Sequence, residues 1–195
     1  NVLLFHVPLP VRFKVDGQAF NHTLPITKLA EDYYFPLAKA PQIVRIDPDL
    51  TLLAKITFAP PTAQLHAQLA DATNALGRQQ AVELLAKRKD KTTVEKLTHV
   101  LRNDSFYGVR IAASRALRGI ATDAAYEALA GSTDQPNAKV RSQVVSDIAS
   151  QPKPGALPHL KRILDSEKNP AIRAQIVSRL AGHEDMQANR LINQA

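Results

Sequence analysis

Four arginines recur along the second half of the chain in the same local setting. Gly77-Arg78-Gln79-Gln80-Ala81 aligns with Val109-Arg110-Ile111-Ala112-Ala113, with Val140-Arg141-Ser142-Gln143-Val144 and with Ile172-Arg173-Ala174-Gln175-Ile176, at steps of 32, 31 and 32 residues between the arginines. A steady period of this length predicts a stack of helix pairs, because one such pair can bury its apolar face only against its neighbours. Each repeat divides into a longer helix that carries the arginine and a shorter one across a turn. Val109, Ala112, Ala113, Ala116, Leu117 and Ile120 form one apolar stripe at helical spacing, and its alanines permit close packing. The shorter helices are read at residues 94–101, 124–129 and 156–164, with Asp123 as an N-cap and Gly131 as a stop. Pro152, Pro154 and Pro158 fall at or near a helix start, where a missing amide proton costs little.

Upstream, the period changes. From Val2 to about Phe58 the pattern alternates, with Val11, Phe13 and Val15 set against Arg12 and Lys14, which predicts strands. Asp16-Gly17 is a hairpin signal between that strand and residues 19–26. Further strands are expected at 33–37, 43–46 and 52–58, separated by prolines that confine pairing to edges and turns. About five strands with one buried face make a thin sandwich that usually needs a partner surface, so further strands are expected before Asn1. At Ala59-Pro60-Pro61-Thr62 the helical period begins, with Thr62 as a helix N-cap. The expected organisation is multidomain, β then all-α: an incomplete β-sandwich-like domain over residues 1–60, and an α-α solenoid over 61–195.

Charge and composition narrow the function classes. The net charge of +7 is uneven, with 6 basic and 5 acidic side chains in residues 1–60 against 19 and 13 in residues 61–195. A basic surface attracts nucleic acid, anionic lipid or acidic proteins. These charges are spread singly along amphipathic helices, and only Lys87-Arg88-Lys89 with Lys91 clusters, so a solvated face is the favoured reading and nucleic acid is not expected as a partner. No run approaches the roughly 18–20 apolar residues of a membrane helix, and no membrane partner is expected. With no cysteine, disulfides, thiolate metal sites and cysteine nucleophiles are excluded.

The repeat arginines, each entering a helix behind a polar or acidic turn (Asp71, Asp104, Asp134, Glu167), resemble the HEAT repeat and its relatives. The β segment carries a second resemblance. Phe5-His6-Val7-Pro8-Leu9-Pro10-Val11-Arg12-Phe13, then Tyr33-Tyr34-Phe35-Pro36-Leu37, then Pro41 to Pro48, then Leu52-Leu53-Ala54-Lys55 before Phe58, is similar to the small β-domain that follows the catalytic domain in aminopeptidase N-type zinc peptidases. In some bacterial members that domain leads directly into HEAT-like repeats. The resemblance implies a non-catalytic accessory region that braces an upstream catalytic domain and limits access to its cleft. Zinc is then expected only in that missing domain, whose His-Glu-x-x-His and Gly-x-Met-Glu-Asn motifs do not occur between Asn1 and Ala195. The alternative is a protein-interaction scaffold whose repeat surface binds a peptide or protein.

No catalytic, cofactor-binding or metal-ligating residue is expected within the chain. His183-Glu184-Asp185-Met186-Gln187 begins like a zinc motif but has Gln where the second histidine must stand on the same helical face, and Gly182 before it suggests an inter-helix turn. The six histidines (6, 22, 66, 99, 159, 183) lack metal-ligand spacing. Arg78, Arg110, Arg141 and Arg173 could form a ladder for phosphate or carboxylate. The recurrence of that position favours pairing with acidic or carbonyl groups at the inter-repeat turns. Phe106 and Tyr107, on an inter-helix turn, are candidate surface anchors, with packing between repeats the favoured role.

Overall fold

The computed structural model of the chain describes residues 6–151 and 156–192, with side chains described through residue 182. Three strands precede eight helices among these residues. Compactness divides the chain into two units, Asn1–Leu84 and Leu85–Ala195.

In the first unit, β1 (Val7–Val15), β2 (Gln18–Ile26) and β3 (Ile43–Ile46) form an antiparallel sheet in the order β2-β1-β3. The expected hairpin forms: Val15 pairs with Gln18, and the two residues between them, Asp16 and Gly17, both have positive φ (46° and 83°), as the favoured two-residue turn requires. The register puts Phe13 opposite Phe20 and Val44, and Val11 opposite His22 and Ile46, so these side chains share one face. Phe35 covers that face, its ring 4.6 Å from Phe13 and 5.1 Å from His22. The opposite face carries Lys14, Ile43 and Arg45 against α1 (Thr62–Leu69) and α2 (Ala75–Leu85). There Lys14 pairs with Asp71 at 2.9 Å, and Arg45 donates through Nε to Gln80 Oε1 at 3.0 Å and through Nη2 to the Pro48 carbonyl. Burial pushes the Arg45 guanidinium below its ordinary pKa, with Arg12 beside it acting in the same direction.

Two of the expected strands are absent among the described residues, and their absence has a local cause. Residues 33–37 form no ladder: Phe35 turns onto the sheet, and the Tyr33 hydroxyl donates to the Glu31 carboxylate at 2.6 Å, with the Pro25 carbonyl 2.8 Å away. Residues 52–58 are likewise irregular, since the Asp47 carboxylate takes the amides of Thr51 and Leu52 (2.9 and 3.0 Å) that a strand would have used. The sandwich therefore reduces to a three-stranded sheet. Helix α1 begins at Thr62 with Pro61 in the cap position, one residue earlier than expected.

The second unit holds α3 (Lys91–Asn103), α4 (Tyr107–Ile120), α5 (Asp123–Ala130), α6 (Ala138–Ala149), α7 (Ala156–Ser166) and α8 (Pro170–Ile192). Side-chain caps start four of them: Asp90 accepts from the Thr93 amide at 2.9 Å, Thr122 from Ala125 at 3.3 Å, Asn137 from Lys139 at 2.9 Å and Asn169 from Ala171 at 3.0 Å. The cap of α5 is thus Thr122, with Asp123 in the first turn, where its charge favours the helix N-terminus; Gly131 ends the helix as expected. Helices α4, α6 and α8 pack in succession to form one row, α3 packs on α5, and each arginine-bearing helix also packs on the short helix before it. Leu97, Leu101, Val109, Leu117, Leu129, Ile148, Leu160 and Ile176 are fully buried between the rows. Each such side chain contributes about 2 kcal/mol of transfer free energy. The turn expected at Gly182-His183 does not form, because α8 continues unbroken through both residues. Pro158 lies in the first turn of α7, while Asn1 to Phe5, Pro152 and Pro154 lie outside the described residues.

Candidate interaction surface

The recurring arginine sits in the first turn of its helix and reaches back over the preceding turn. Arg78 Nη1 donates to the carbonyls of Asp71 and Ala72, both at 2.9 Å. Arg141 Nη1 donates to the carbonyls of Gln135 (2.8 Å) and Pro136 (3.2 Å), and Arg173 Nη1 to those of Leu164 (2.6 Å) and Glu167 (3.0 Å). Arg141 also makes a forked pair with Glu167, Nε to Oε2 at 2.7 Å and Nη2 to Oε1 at 3.2 Å. That pair holds the Glu167 carboxyl below its usual range and raises the arginine further. Arg110 differs: its Nε is buried without a hydrogen-bond partner among the described residues. An open cleft of about 600 Å³ borders Arg141 and Glu167, with Asp134, Ile163 and Lys168 on its walls. Since Arg141 spends its donors on protein acceptors, this cleft has no uncommitted guanidinium to offer a ligand.

A second set of polar contacts, which the sequence reading did not single out, runs across the row of arginine-bearing helices. Ser114 of α4 donates to Asp147 of α6 at 2.6 Å, both fully buried, and Gln143 Nε2 donates to the same carboxylate at 3.0 Å. Burial pushes the Asp147 carboxyl up, against the opposing effect of those hydrogen bonds and of Arg118 and Arg115. Arg118 Nε lies 3.5 Å from Asp147, and Arg115 places Nε and Nη2 on Gln143 Oε1 at 3.1 and 3.0 Å. Between α6 and α8, Ser142 donates to Gln175 Oε1 at 2.8 Å and Gln175 returns a bond to the Ser142 carbonyl at 3.1 Å. Apart from the Gln143–Asp147 bond, which lies within α6, each contact joins one repeat to the next.

This row also sorts the charge. Helix α4 carries Arg110, Arg115 and Arg118 and no acid; α6 carries Lys139, Arg141 and the buried Asp147; α8 through Gly182 carries Arg173 and Arg179 and no acid. In the other row α3 and α7 are mixed, with Glu95 and Asp165 among their basic residues, and α5 is acidic, with Asp123 and Glu127 and no Lys or Arg. Among the described side chains the row of α4, α6 and α8 is therefore the more basic of the two, because the acids fall mostly on α3, α5 and α7. The nearest sequence signal was the spacing of Arg115 and Arg118 three apart on one helix, without acids around them.

Phe106 is 43% exposed at the N-cap of α4, its ring 5.1 Å from that of Tyr107. Tyr107 lies beneath Lys139 Nζ, 5.3 Å from the ring centroid, which ties it to the next repeat. The histidines are spread out: His22 packs against Phe35 with the rings tilted by 54°, and His159 stacks on Tyr126 with its Nδ1 3.2 Å from the hydroxyl. Among the described residues no group of three or more His, Cys, Asp or Glu could hold a metal ion, and no helix is long and apolar enough to cross a membrane.

Residues 62–146 match the family model for HEAT repeats. The helices form HEAT-type repeats. Their turns are where the recurring arginine is anchored, and the row of α4, α6 and α8 is the arginine-bearing side of the HEAT stack. A comparison with curated proteins gave no match to the chain. The HEAT match includes none of the β-segment residues on which the resemblance to aminopeptidase N-type peptidases rests, and that finer assignment has no support from it.

Proposed function

We propose that this chain is a non-catalytic protein-interaction scaffold whose HEAT repeats present a recognition surface for a peptide or protein. The observation that carries the reading is the continuous row of α4, α6 and α8, joined across repeats by the Ser114–Asp147, Arg115–Gln143 and Ser142–Gln175 contacts. Such rungs hold neighbouring helices in fixed register, and a stacked repeat surface of that kind suits binding of an extended partner. The test is affinity capture with the full chain, comparing it with variants that change exposed residues on this row or on α3, α5 and α7. Retention of a defined partner that is lost for one set and kept for the other supports a scaffold; partners retained equally by all variants count against it.

A second reading, that the chain braces the catalytic domain of an aminopeptidase N-type zinc peptidase, draws on the β segment. Tyr34 is 91% and Leu29 81% exposed, and Leu50 and Leu53 are also exposed. Large apolar side chains in such numbers on a small sheet unit suit coverage by a neighbouring domain. In this reading zinc belongs to that domain and the present chain neither binds the metal nor cleaves peptides. Zinc-dependent hydrolysis of aminoacyl substrates by a longer product carrying an upstream His-Glu-x-x-His helix would support it. Absence of such a domain would leave the scaffold alone.

A further inference from the structure

We infer that the α4/α6/α8 face takes an acidic protein segment, whose carboxylates are held by Arg115, Arg118 and Arg179. The inference rests on the scaffold reading and names the chemistry of its partner. Arg115 and Arg179 are exposed, and the Arg118 side chain is 47% exposed. The one carboxylate on this row among the described side chains, Asp147, is fully buried and lies 3.5 Å from Arg118 Nε. Arg115 commits Nε and Nη2 to Gln143, which orients the guanidinium and leaves Nη1 uncommitted. A planar guanidinium held in this way is matched to a carboxylate, with less freedom to lose on binding than a solvated lysine. Arg179 is exposed on α8, the third helix of the same row. Small or apolar side chains lie between the arginines, with Ser178 and Val177 exposed on α8 and Ser146 partly exposed on α6, and these allow a polypeptide backbone to approach.

Nucleic acid fits this face less well. Its affinity comes from neutralising many phosphates, roughly 6–10 in a typical complex. The face presents five exposed cations, Arg115, Arg118, Lys139, Arg173 and Arg179, of which Lys139 covers the Tyr107 ring and Arg173 donates to turn carbonyls. Among the described residues the exposed ring beside this row is Phe106 at the N-cap of α4, whereas single-strand binding stacks successive bases on several rings.

The test is fluorescence anisotropy with the full chain and a labelled glutamate-rich peptide as probe, alongside a labelled single-stranded oligonucleotide. The double variant Arg115→Gln/Arg179→Gln should weaken peptide binding by about tenfold or more, since each lost guanidinium–carboxylate fork is a charge-assisted contact. Lys91→Gln/Lys96→Gln removes the same charge from α3 and should change the affinity by less than about twofold at moderate salt. Arg118 is tested as Arg118→Gln only in an Asp147→Asn background, so that the loss of its buried neighbour's counter-charge does not unfold the chain. Thermal melts of each variant confirm folding. Equal weakening by the two charge-matched pairs overturns the inference, as does failure of the peptide to bind. Tighter binding of the oligonucleotide, lost in the same arginine variants, overturns it in favour of a nucleic-acid face. Capture of a protein partner that depends on α3, α5 or α7 instead would sink this inference and leave the scaffold reading standing.

Discussion

Replacing Asp147 by Asn should stabilise the repeat unit at neutral pH, although it removes a charge that three neighbours attract. Asp147 is fully buried, accepts from Ser114 at 2.6 Å and Gln143 at 3.0 Å, and lies 3.5 Å from Arg118. Its carboxyl is nonetheless pushed above the ordinary value of 3.8, because the loss of hydration outweighs those contacts. A carboxyl raised in the folded state contributes its stability below the unfolded pKa and loses it as pH rises through the folded pKa. Wild type and Asp147→Asn should therefore be close in stability below about pH 4, with the variant gaining as pH rises toward 7. Asn keeps an acceptor for Gln143, and the Ser114 hydroxyl can rotate to suit either amide atom. The expected gain at pH 7 is about 1 kcal/mol, the order of desolvation relieved when a buried polar group sheds its charge, because Arg118, with its side chain 47% exposed, turns to water once the carboxylate is gone. That corresponds to about 2–4 °C in Tm for a chain of this size. Urea unfolding followed by helical circular dichroism at several pH values measures it. Ser114→Ala gives the complementary arm: it should cost about 1.5–3 kcal/mol in wild type, as a hydrogen bond to a charged acceptor does, and less in the Asn background. If Asp147→Asn is the less stable form and the gap widens with rising pH, attraction to Arg118 and Arg115 outweighs burial and the reasoning fails.

Three further outcomes follow from other parts of the structure. Arg141→Ala should destabilise the repeat unit by about 2–3 kcal/mol, because it strands the buried Glu167 carboxylate and two turn carbonyls. As Glu167 is held below its usual 4.5, the wild-type advantage should be full above that pH and shrink as pH falls, which denaturation at acid and neutral pH will show. Ala121→Gly should raise stability by about 0.5–1 kcal/mol, since Ala121 ends α4 at φ 56° where glycine carries no steric penalty; a loss on melting would refute the strain argument. Hydrogen bonds from Thr27 and Tyr33 hold Glu31 down to about 2, and Glu31 pushes Tyr33 up to about 12. The turn should thus keep this support between the ordinary values of 4.5 and 10 and lose it on either side. NMR titration of the two side chains checks it, and a Glu31 midpoint that stays near 2 in Thr27→Val would count against the assignment.

The helices were legible in the sequence because a repeat imposes the same short-range demands every 31 or 32 residues: an apolar stripe, a turn and an arginine. The hairpin was legible for the same local reason, as Asp16-Gly17 tolerates positive φ at both positions. Residues 33–37 and 52–58 misled because alternation shows only that a segment can pair. Whether it does depends on competing acceptors, and the Asp47 carboxylate took the amides of Thr51 and Leu52. At the surface, the recurring arginines announced themselves, yet their donors go largely to turn carbonyls.

By itself, then, the sequence determined the order of β and α segments, the repeat length and the residues that form each apolar stripe, since these follow from dihedral preferences and spacing along one chain. Only the tertiary structure decided that Ser114 meets Asp147 thirty-three positions away, that this carboxylate is sealed from water, and that Arg115, Arg118 and Arg179 share a row without exposed acids among the described side chains. Those properties depend on which faces of separate helices are brought together. Burial and charge act through space, and a linear pattern cannot report a desolvation that neighbouring repeats create.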